Sequence, residues 1–324
     1  MRKKDLLGIR EMSAIEILHL LEMAKEEKPK ITNKHLRDTS LKNLSLTTLF
    51  YENSTRTKLS FLLAGEYLGA MADDLNIATS SVSKGETLID TGLTLDRMGT
   101  NVIVIRHGMV GSAHLLARNV NASVINGGDG SNEHPTQALL DLFTIQEHKP
   151  AGFEGLKVVI LGDIANSRVA RSNIFGLTKL GADVTLAGPS TLVSGNLEAL
   201  GVTVTNNVKQ AIKDADVIMG LRVQLERQKT SYFPSLAEYA HFFGLNAEHL
   251  KYAKEDALIM HPGPVNRGVE LSTDLIDGDR SLIYDQVENG IAVRMAILKY
   301  LAADSAVAET PVRMLNVRGD RRAV

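Results

Sequence analysis

Three hydroxyl side chains and one guanidinium follow one another in the segment Ser54-Thr55-Arg56-Thr57. Apolar residues at 46–50 predict a short buried strand before this segment, and apolar positions after it recur at helical spacing. A helix N-terminus offers backbone N–H groups and a partial positive charge, and the hydroxyls and the arginine add further donors for a phosphate. Serine and threonine are also the ordinary residues that begin a helix. On its own, the segment therefore predicts either an anion site or a simple helix cap.

Further polar segments lie at predicted strand ends or in loops, at residues 80–87, 106–108, 126–137, 166–168, 222–227 and 261–267. Each segment has an ordinary explanation when it is taken alone. Arg106 suits a surface position at a strand end, His134 suits a helix start, and Arg222 suits a salt-bridged loop. A lone lysine such as Lys84 in a polar loop is normally a solvated surface charge. The joint occurrence of these segments favours one shared binding site.

The elements that must position these segments can be assigned from the spacing of apolar residues. The predicted strands are residues 46–50, 102–105, 157–163, 183–187, 216–220 and 257–260. The predicted helices are residues 15–24, 59–69, 135–147, 168–180 and 290–301. Strands that alternate with helices in this way are typical of α/β folds with a mostly parallel sheet, whose ligands bind at the carboxyl ends of the strands.

The same alternation occurs twice, because a Pro/Gly punctuation at residues 149–152 separates two halves with similar patterns. We therefore predict an α/β protein of two doubly wound domains with central, mostly parallel sheets, joined by interdomain helices. The predicted parts are a first domain at residues 1–149, a second domain at 150–289, a helix at 290–303 that packs back on the first domain, and a flexible tail at 304–324.

The composition is that of an ordinary globular protein with no general affinity for nucleic acid. Its 324 residues are 44% hydrophobic and 23% charged, and the formal net charge is −2. The absence of cysteine excludes disulfides, thiolate metal sites and a cysteine nucleophile, and it suits a cytoplasmic location. No apolar run is long enough to span a membrane. Residues 162–167 lack the G-x-G-x-x-G pattern of dinucleotide sites, and a P-loop is also missing.

Taken together, the polar segments resemble the aspartate carbamoyltransferase family of the transcarbamoylases, from Leu44 to about Leu301. The matching segments are residues 50–58, 84–87, 130–137 and 222–227. The Ser-Thr-Arg-Thr segment is common to all transcarbamoylases, whereas the segments at 84–87 and 222–227 single out the aspartate family. The resemblance implies carbamoyl transfer from carbamoyl phosphate to the α-amino group of L-aspartate, an early step of de novo pyrimidine biosynthesis. It implies no cofactor, no metal and no covalent enzyme intermediate.

The resemblance also implies roles for residues at the first substrate. The four residues at 54–57 hold the phosphate, in agreement with the anion site predicted above. Thr55, Arg106 and His134 donate hydrogen bonds to the carbamoyl oxygen, where negative charge grows during the reaction. Gln137 contacts the carbamoyl nitrogen, and its spacing from His134 places both side chains on one helix face. The residues implied in catalysis are Arg56, Thr57, Lys84, Arg106, His134 and Gln137.

For the second substrate, Arg168 and Arg222 resemble the pair that binds the two carboxylates of aspartate, with Gln224 beside them. Two planar guanidiniums that face two carboxylates are complementary in both charge and shape. An ornithine-type site is the nearest alternative, but it calls for an acidic partner for the distal ammonium and for a cysteine, which the chain lacks. A non-catalytic paralogue that kept the fold is a second alternative.

The loop that contains Ser80 and Lys84 resembles the family element that reaches into the active site of a neighbouring subunit. Both residues are then part of the carbamoyl phosphate site, and Lys84 also contacts aspartate. The implied assembly is a homotrimer with shared sites, and regulatory chains are possible further partners. Ser81 is the competing choice for the serine of this loop. Glu86 is expected to hold the guanidinium of Arg56 in line.

Two positions depart from the family pattern. Position 263 is glycine, where some family members carry a larger apolar residue, although the backbone contacts implied for Pro262, Gly263 and Pro264 do not need a side chain. The Gly263–Pro264 bond is a candidate cis peptide. Lys58 replaces the arginine that often follows the Ser-Thr-Arg-Thr segment, and it keeps the charge but loses the planar fork.

Overall fold

The computed structural model of the chain describes residues 4–32, 38–77, 80–224 and 235–305. These residues form two parallel β-sheets whose strands alternate with helices, so the predicted α/β fold with two sheets is confirmed. None of the helices in these ranges is long and apolar enough to cross a membrane.

Four strands form the first sheet, namely β1 (Ser45–Phe50), β2 (Met71–Leu75), β3 (Val102–His107) and β4 (Ser123–Asp129). They lie in the order β2-β1-β3-β4, and every pairing is parallel. The strands β1 and β4 are buried along most of their length, as expected for parallel strands that are covered on both faces. By contrast, β2 is a largely exposed edge strand, and its polar residues explain why the apolar pattern does not predict it.

Five strands form the second sheet, namely β5 (Lys157–Leu161), β6 (Asp183–Ala187), β7 (Thr203–Thr205), β8 (Val217–Gly220) and β9 (Leu258–Met260). Their order is β7-β6-β5-β8-β9, again with parallel pairing throughout. The strand predicted at residues 157–163 ends at Leu161, because Gly162 has a φ of +132°, outside the β region.

Eleven α-helices surround these sheets in the described ranges. They are α1 (Ala14–Thr32), α2 (Thr55–Tyr67), α3 (Leu88–Arg97), α4 (Ser112–Ala117), α5 (Pro135–His148), α6 (Arg168–Lys179), α7 (Val208–Ala211), α8 (Leu236–Phe243), α9 (Ala247–Leu250), α10 (Thr273–Ile276) and α11 (Ile283–Ser305). The last helix begins at Ile283, before its predicted start at 290. The apolar pattern does not predict its first turns because they contain the polar residues Gln286 and Asn289, which are nevertheless buried. It also extends into the tail predicted from 304, whose residues 306–324 lie outside the described ranges.

One continuous cluster of buried apolar residues joins the two sheets. It includes Leu46 and Val104 from the first sheet, Val158 and Ile160 from the second, and Leu298 from α11. The helices α1, α2 and α5 all pack against α11, and α5 also packs against α6. Helices therefore connect the two halves of the molecule through apolar contacts.

The strand order reverses once in each sheet, and ligands of such sheets bind at the point of reversal. In the first sheet the neighbours of β1 are β2 on one side and β3 on the other. In the second sheet the neighbours of β5 are β6 on one side and β8 on the other. Loops that leave the carboxyl ends of two strands at such a reversal diverge and leave a crevice. The residues that follow β1, β3, β5 and β8 are thus placed at two crevices.

Candidate functional site

A cleft of about 1270 Å³ is lined by residues that follow strands of both sheets. All the site residues named from the sequence contribute to this lining, except Ser80 and Lys84. The contributing residues are Ser54, Thr55, Arg56, Thr57, Arg106, His134, Gln137, Arg168, Arg222, Gln224, Pro262, Gly263 and Pro264. The fold therefore brings the two predicted halves of the site to one cavity.

The N-terminus of α2 lies at the carboxyl end of β1 and contributes the hydroxyl-rich segment. Ser54 is the N-cap residue, but its side chain makes no capping hydrogen bond. The cap residues Thr87 of α3 and Ser167 of α6 do accept a backbone N–H in the usual way. Because Ser54 leaves the first turn of α2 without a side-chain cap, these N–H groups favour the anion site over the simple cap.

The guanidinium of Arg56 lies against the backbone of Gly263. A Cβ atom built at position 263 would stand 3.0 Å from Cζ of Arg56, and the glycine has a φ of +65°, which favours glycine by itself. The Gly263–Pro264 bond is cis, as predicted. Burial, followed by the like charge of Arg222, lowers the pKa of Arg56. The glycine that departs from the family pattern thus has a local reason, since it makes room for the arginine.

Glu52 connects arginines from the two halves of the cleft. Nη2 of Arg168 donates to Oε2 of Glu52 at 2.6 Å, and Nε of Arg106 lies 3.5 Å from the same oxygen. Nη1 of Arg106 also donates to the carbonyl of Gly127 at 3.2 Å. A single carboxylate therefore orients two guanidiniums, one at the end of β3 and one at the start of α6.

Arg168 itself is almost completely buried, at 4% exposure. A Cβ atom at Gly128 would lie 2.9 Å from Nε of Arg168, so the glycine-rich end of β4 provides space for this side chain. Nη1 of Arg168 has no hydrogen-bond partner among the described residues. Buried donors normally have a partner, and an anionic ligand in the cleft is the simplest partner for this one.

His134 is buried at the N-terminus of α5, where its backbone N–H donates to Oγ of Ser172 at 2.9 Å. Burial, followed by the positive charges of Arg106, Arg168 and Arg294, holds the pKa of this imidazole well below its usual value. The ring is therefore neutral at pH 7, with one nitrogen as a donor. Within the described part of the chain Nδ1 has no partner, so the ring can serve a ligand in the cleft.

Hydrogen bonds connect the loops that carry Gln224 and Asn166 in the second half of the cleft. Nε2 of Gln224 donates to the carbonyl of Asn166 at 3.3 Å. The buried carboxylate of Asp163 accepts from Nδ2 of Asn166 at 3.0 Å and from the backbone N–H of Gln224 at 3.4 Å. These contacts fix the carboxyl ends of β5 and β8, which also bear Arg168 and Arg222.

Ser80 and Lys84 do not reach the cleft of their own chain. Oγ of Ser80 donates to the carbonyl of Ile77 at 2.9 Å, and Lys84 is exposed at the end of a short 3₁₀ helix, Ser81–Lys84. The cleft of one chain is thus lined without the two residues that the family resemblance assigns to a neighbouring subunit.

Other residues of the matching segments lie away from the cleft or outside the described ranges. Nζ of Lys58 pairs with Asp74 at 2.8 Å and does not line the cleft. The expected ion pair between Arg56 and Glu86 is not formed within the described chain. Residues 226–227, which belong to one matching segment, lie outside the described ranges. No group of three or more His, Asp or Glu residues suited to a metal ion occurs in the described ranges.

Reasoning from the sequence missed three charged residues of this region. Glu52 lies two residues before the hydroxyl-rich segment, and a carboxylate just after a predicted strand was its only local signal. Asp141 and Arg294 are buried in helices, at 0% and 3% exposure. Burial lowers the pKa of Arg294 to about 9, although the nearby charge of Asp141 raises it. A charged residue among apolar neighbours on a buried helix is the signal that identifies such positions.

Two family models match the chain in succession. The model for the carbamoyl-P binding domain of aspartate/ornithine carbamoyltransferases matches residues 4–147, and the model for their Asp/Orn binding domain matches residues 154–301. The aspartate carbamoyltransferase catalytic subunit of Acetivibrio thermocellus is 61% identical over 301 residues, which are 93% of this chain and 96% of that protein. The corresponding subunit of Ruminiclostridium cellulolyticum is 57% identical over 309 residues, or 95% and 98% of the two chains.

Solved structures with the same fold include both aspartate and ornithine enzymes. Aspartate transcarbamoylase from Trypanosoma cruzi in complex with carbamoyl phosphate and aspartate matches with a TM-score of 0.82 at 30% identity, over 92% of this chain and 96% of that chain. Ornithine carbamoyltransferase from Pyrococcus furiosus matches with a TM-score of 0.80 at 33% identity, over 91% and 96%. The fold alone therefore leaves the second substrate open.

Proposed function

The chain belongs to the aspartate/ornithine carbamoyltransferase family, and on this premise we propose that it transfers the carbamoyl group of carbamoyl phosphate to the α-amino group of L-aspartate. The products are N-carbamoyl-L-aspartate and phosphate. The curated relatives that share more than half of its residues are named aspartate carbamoyltransferase catalytic subunits. We further propose that this reaction serves pyrimidine biosynthesis in the cytoplasm.

One observation supports this function most directly, namely the excess of positive charge in the cleft. Six arginines line it, namely Arg56, Arg106, Arg168, Arg222, Arg267 and Arg294, and Arg267 pairs with Asp277 outside the lining. Glu52 is the single acidic residue in the described part of the lining, and Arg168 and Arg106 already share it. A phosphate and a dicarboxylic amino acid both match such a surface in charge.

The reaction needs positioning and charge stabilisation. The amino nitrogen of aspartate attacks the carbamoyl carbon, the C–N bond forms, the C–O bond to phosphate breaks, and the departing phosphate accepts the amine proton. The hydroxyl-rich segment at 54–57 holds the phosphate. Thr55, Arg106 and neutral His134 donate to the carbamoyl oxygen as its negative charge grows, and each such donor contributes roughly 2–4 kcal/mol in other enzymes. Gln137 contacts the carbamoyl nitrogen.

The proposed aspartate site is the second half of the cleft. Arg168 has a buried Nη1 without a partner in the described ranges, and Arg222 lies close enough to Arg56 to affect its pKa. We assign these two arginines to the carboxylates, with Gln224 beside them. Ornithine would place an ammonium group in this half, and no unshared carboxylate of the described lining is available to receive it. We assign the backbone at 262–264, which lines the cleft, to contacts with the carbamoyl group.

Phosphate release in the presence of carbamoyl phosphate tests the proposal, with L-aspartate and L-ornithine added in separate assays. We expect release that depends on aspartate and the appearance of N-carbamoyl-L-aspartate. Release with ornithine alone would identify an ornithine enzyme, and no release with either amino acid would identify a non-catalytic paralogue. Purified Arg56→Ala protein is the matched control, since it should lose the activity and remain folded.

We also propose that the protein acts as a homotrimer in which Ser80 and Lys84 complete the site of a neighbouring subunit. Support comes from the family resemblance and from the position of both residues outside the cleft of their own chain. Mixing inactive Arg106→Ala chains with inactive Lys84→Ala chains should restore activity, because some sites in hybrid trimers receive both native residues. Verified subunit exchange without recovery would contradict a shared site.

The same proposal assigns one substrate to each half of the chain. We assign residues 1–149 to carbamoyl phosphate binding, together with the helix at 290–303, and residues 150–289 to aspartate binding. Association with regulatory chains is a further possibility that size-exclusion chromatography tests, and saturation curves with and without nucleotides test for regulation.

A further inference from the structure

Asp141 is buried where three helices meet, and its carboxylate is surrounded by amide groups. Its side chain lies on α5 and has 0% exposure. Oδ1 accepts from Nε2 of Gln137 at 2.9 Å and from Nε2 of Gln286 at 2.7 Å. Oδ2 accepts from Nδ2 of Asn173 at 2.8 Å. Asp141 thus binds α5, α6 and α11 through three N–H donors, and it does not line the cleft itself.

This arrangement determines which atom Gln137 offers to a ligand. An ionised carboxylate can only accept hydrogen bonds, so the amide of Gln137 must turn its NH₂ group toward Asp141. The remaining polar atom of Gln137, the carbonyl Oε1, is then left for the cleft, which Gln137 lines. A carbonyl oxygen accepts hydrogen bonds and cannot donate them. The cleft therefore presents an acceptor, not a donor, at this position.

The side-chain amides of Gln286 and Asn173 also point their NH₂ groups toward Asp141, and each makes a second hydrogen bond to the backbone. Oε1 of Gln286 accepts from the backbone N–H of His261 at 2.9 Å, which requires its NH₂ group to face Asp141. Nδ2 of Asn173 also donates to the carbonyl of Val169 at 3.1 Å. Among these three amides, Gln137 has no second contact of this kind within the described residues, so its orientation depends on Asp141.

We propose that Asp141 is a positioning residue that makes Gln137 a hydrogen-bond acceptor toward the acyl group of the substrate, and so selects the amino group of carbamoyl phosphate over the methyl group of acetyl phosphate. The inference rests on the proposed carbamoyl transfer and deepens it. The two compounds have nearly the same shape, and they differ in the hydrogen-bond donor that faces Gln137. A methyl group there leaves the carbonyl oxygen without a partner, which commonly weakens binding by roughly 10- to 100-fold.

The charge state of Asp141 supports the same role. Burial raises the pKa of its carboxyl to about 6, and the hydrogen bonds from Asn173, Gln286 and Gln137 oppose this rise. The charged group that faces it is Arg294 of α11, while α6 and the first turn of α11 contribute neutral amides. The carboxylate is thus ionised at pH 7. Below pH 6 it gains a proton, becomes able to donate and no longer fixes the amide of Gln137.

The test compares two constants measured at pH 7.5, the KM for carbamoyl phosphate and the competitive inhibition constant of acetyl phosphate. Their ratio expresses the selection for the amino group. In the double variant Asp141→Asn/Gln286→Glu, the new carboxylate at 286 can accept from the backbone N–H of His261 and from the NH₂ group at 141, which then also faces Gln137. Gln137 then turns its own oxygen inward and offers a donor to the cleft. We expect the selection to fall about 10-fold or more.

Moving the charge to position 173 instead should preserve the selection. In the double variant Asp141→Asn/Asn173→Asp, the new carboxylate at 173 accepts from the amide at 141, whose oxygen faces Gln137 and Gln286. We expect the selection to stay within about threefold of the wild-type value. Glu147→Gln is the matched control, because it makes the same acid-to-amide change in an α5–α11 contact, to Asn289. That variant should keep the native selection.

Further measurements separate positioning from a merely structural role. The inhibition constant of inorganic phosphate should stay unchanged in every variant, and the selection of the wild-type enzyme should fall below about pH 6. A folded Asp141→Asn/Gln286→Glu enzyme with native selection would overturn the inference, as would a folded Asp141→Asn/Asn173→Asp enzyme that has lost it. These results differ from failure of the proposed function, in which the wild-type enzyme itself releases no phosphate with aspartate.

Discussion

Two groups of charged side chains in this molecule are built in opposite ways. The ion cluster consists of Glu27, Lys30, Asp38 and Lys299 and connects α1 with α11. Lys30 lies 2.7 Å from the carboxylate of Glu27, and Lys299 lies 2.6 Å from it. Burial acts to raise the pKa of Asp38, but hydrogen bonds from Lys30 and Ser40 hold it below its usual range. Each charge of the cluster thus has an opposite charge beside it.

The described lining of the cleft instead contains six arginines and a single carboxylate. Burial, and then the like charge of Arg222, lowers the pKa of Arg56. Burial and three neighbouring arginines keep His134 neutral. Glu52 is the lone carboxylate of the described lining, and two arginines share it. Such an arrangement raises the free energy of the empty site, and an anionic ligand lowers it again.

Charges that hold the fold and charges that bind substrate should therefore respond differently to substitution. Removing a carboxylate from the ion cluster leaves two partly buried lysines to share the remaining one, so the folded state should lose stability. Removing a charge from the cleft relieves repulsion, so stability should be kept while activity falls. The variants below test this distinction.

The largest effect is expected for Arg56→Ala. The variant loses the guanidinium fork that we assign to the phosphate, and two charge-assisted hydrogen bonds correspond to a fall in kcat/KM of about 10³-fold. The melting temperature should not fall, because the repulsion from Arg222 is also lost. Steady-state kinetics and thermal unfolding check both statements. Arg280→Ala, which removes an arginine that bonds the carbonyl of Glu255 and does not line the cleft, should leave kcat/KM unchanged.

Glu27→Gln should show the opposite behaviour. Its side chain is 6% exposed and binds both Lys30 and Lys299, so loss of the charge should lower the free energy of unfolding by about 2–3 kcal/mol. The value of kcat/KM should stay within about twofold, since the ion cluster is remote from the cleft. Urea unfolding and kinetics on the same preparation measure the two quantities. A stable Glu27→Gln variant with impaired catalysis would remove the distinction between the two regions.

Glu52→Gln should lower activity less than Arg56→Ala does. Glu52 is the one acidic side chain of the described lining, so the variant tests a negative charge in a positively charged cleft. Without its charge the guanidiniums of Arg168 and Arg106 lose their shared partner and their fixed orientation. We expect the KM for aspartate to rise about 10- to 30-fold, which corresponds to one charge-assisted hydrogen bond. The inhibition constant of inorganic phosphate should change much less. An unchanged KM for aspartate would show that Glu52 does not orient Arg168.

The sequence predicts those parts of the site that depend on local structure. The segment at 54–57 follows a strand and begins a helix, and the structure places it there as the start of α2. His134 and Gln137 lie at the start of a helix predicted at 135–147 and observed at Pro135–His148. Arg106 was expected at a strand end and lies near the end of β3. Strand ends and helix starts are encoded within a few residues, so their side chains can be placed without the fold.

The remaining parts depend on contacts between residues that are distant in the chain. Glu52 meets Arg168 across 116 positions, and Asp141 meets Gln286 across 145. No local pattern encodes such pairs, because the packing of whole helices decides them. The edge strand β2 and the first turns of α11 were missed for a related reason, since their residues are polar and carry no apolar period. The assignment of Ser80 and Lys84 depends on a second copy of the chain and stays a prediction.

We infer that the excess positive charge at the ends of both sheets forms one anion site with two parts. Calorimetric titration with N-(phosphonacetyl)-L-aspartate tests it most directly, because this compound joins a phosphonate to an aspartate dicarboxylate in one molecule. We expect one molecule to bind per chain, with affinity reduced more than about 100-fold by Arg56→Ala and, separately, by Arg222→Ala. Binding that neither substitution weakens in folded protein would contradict the claim.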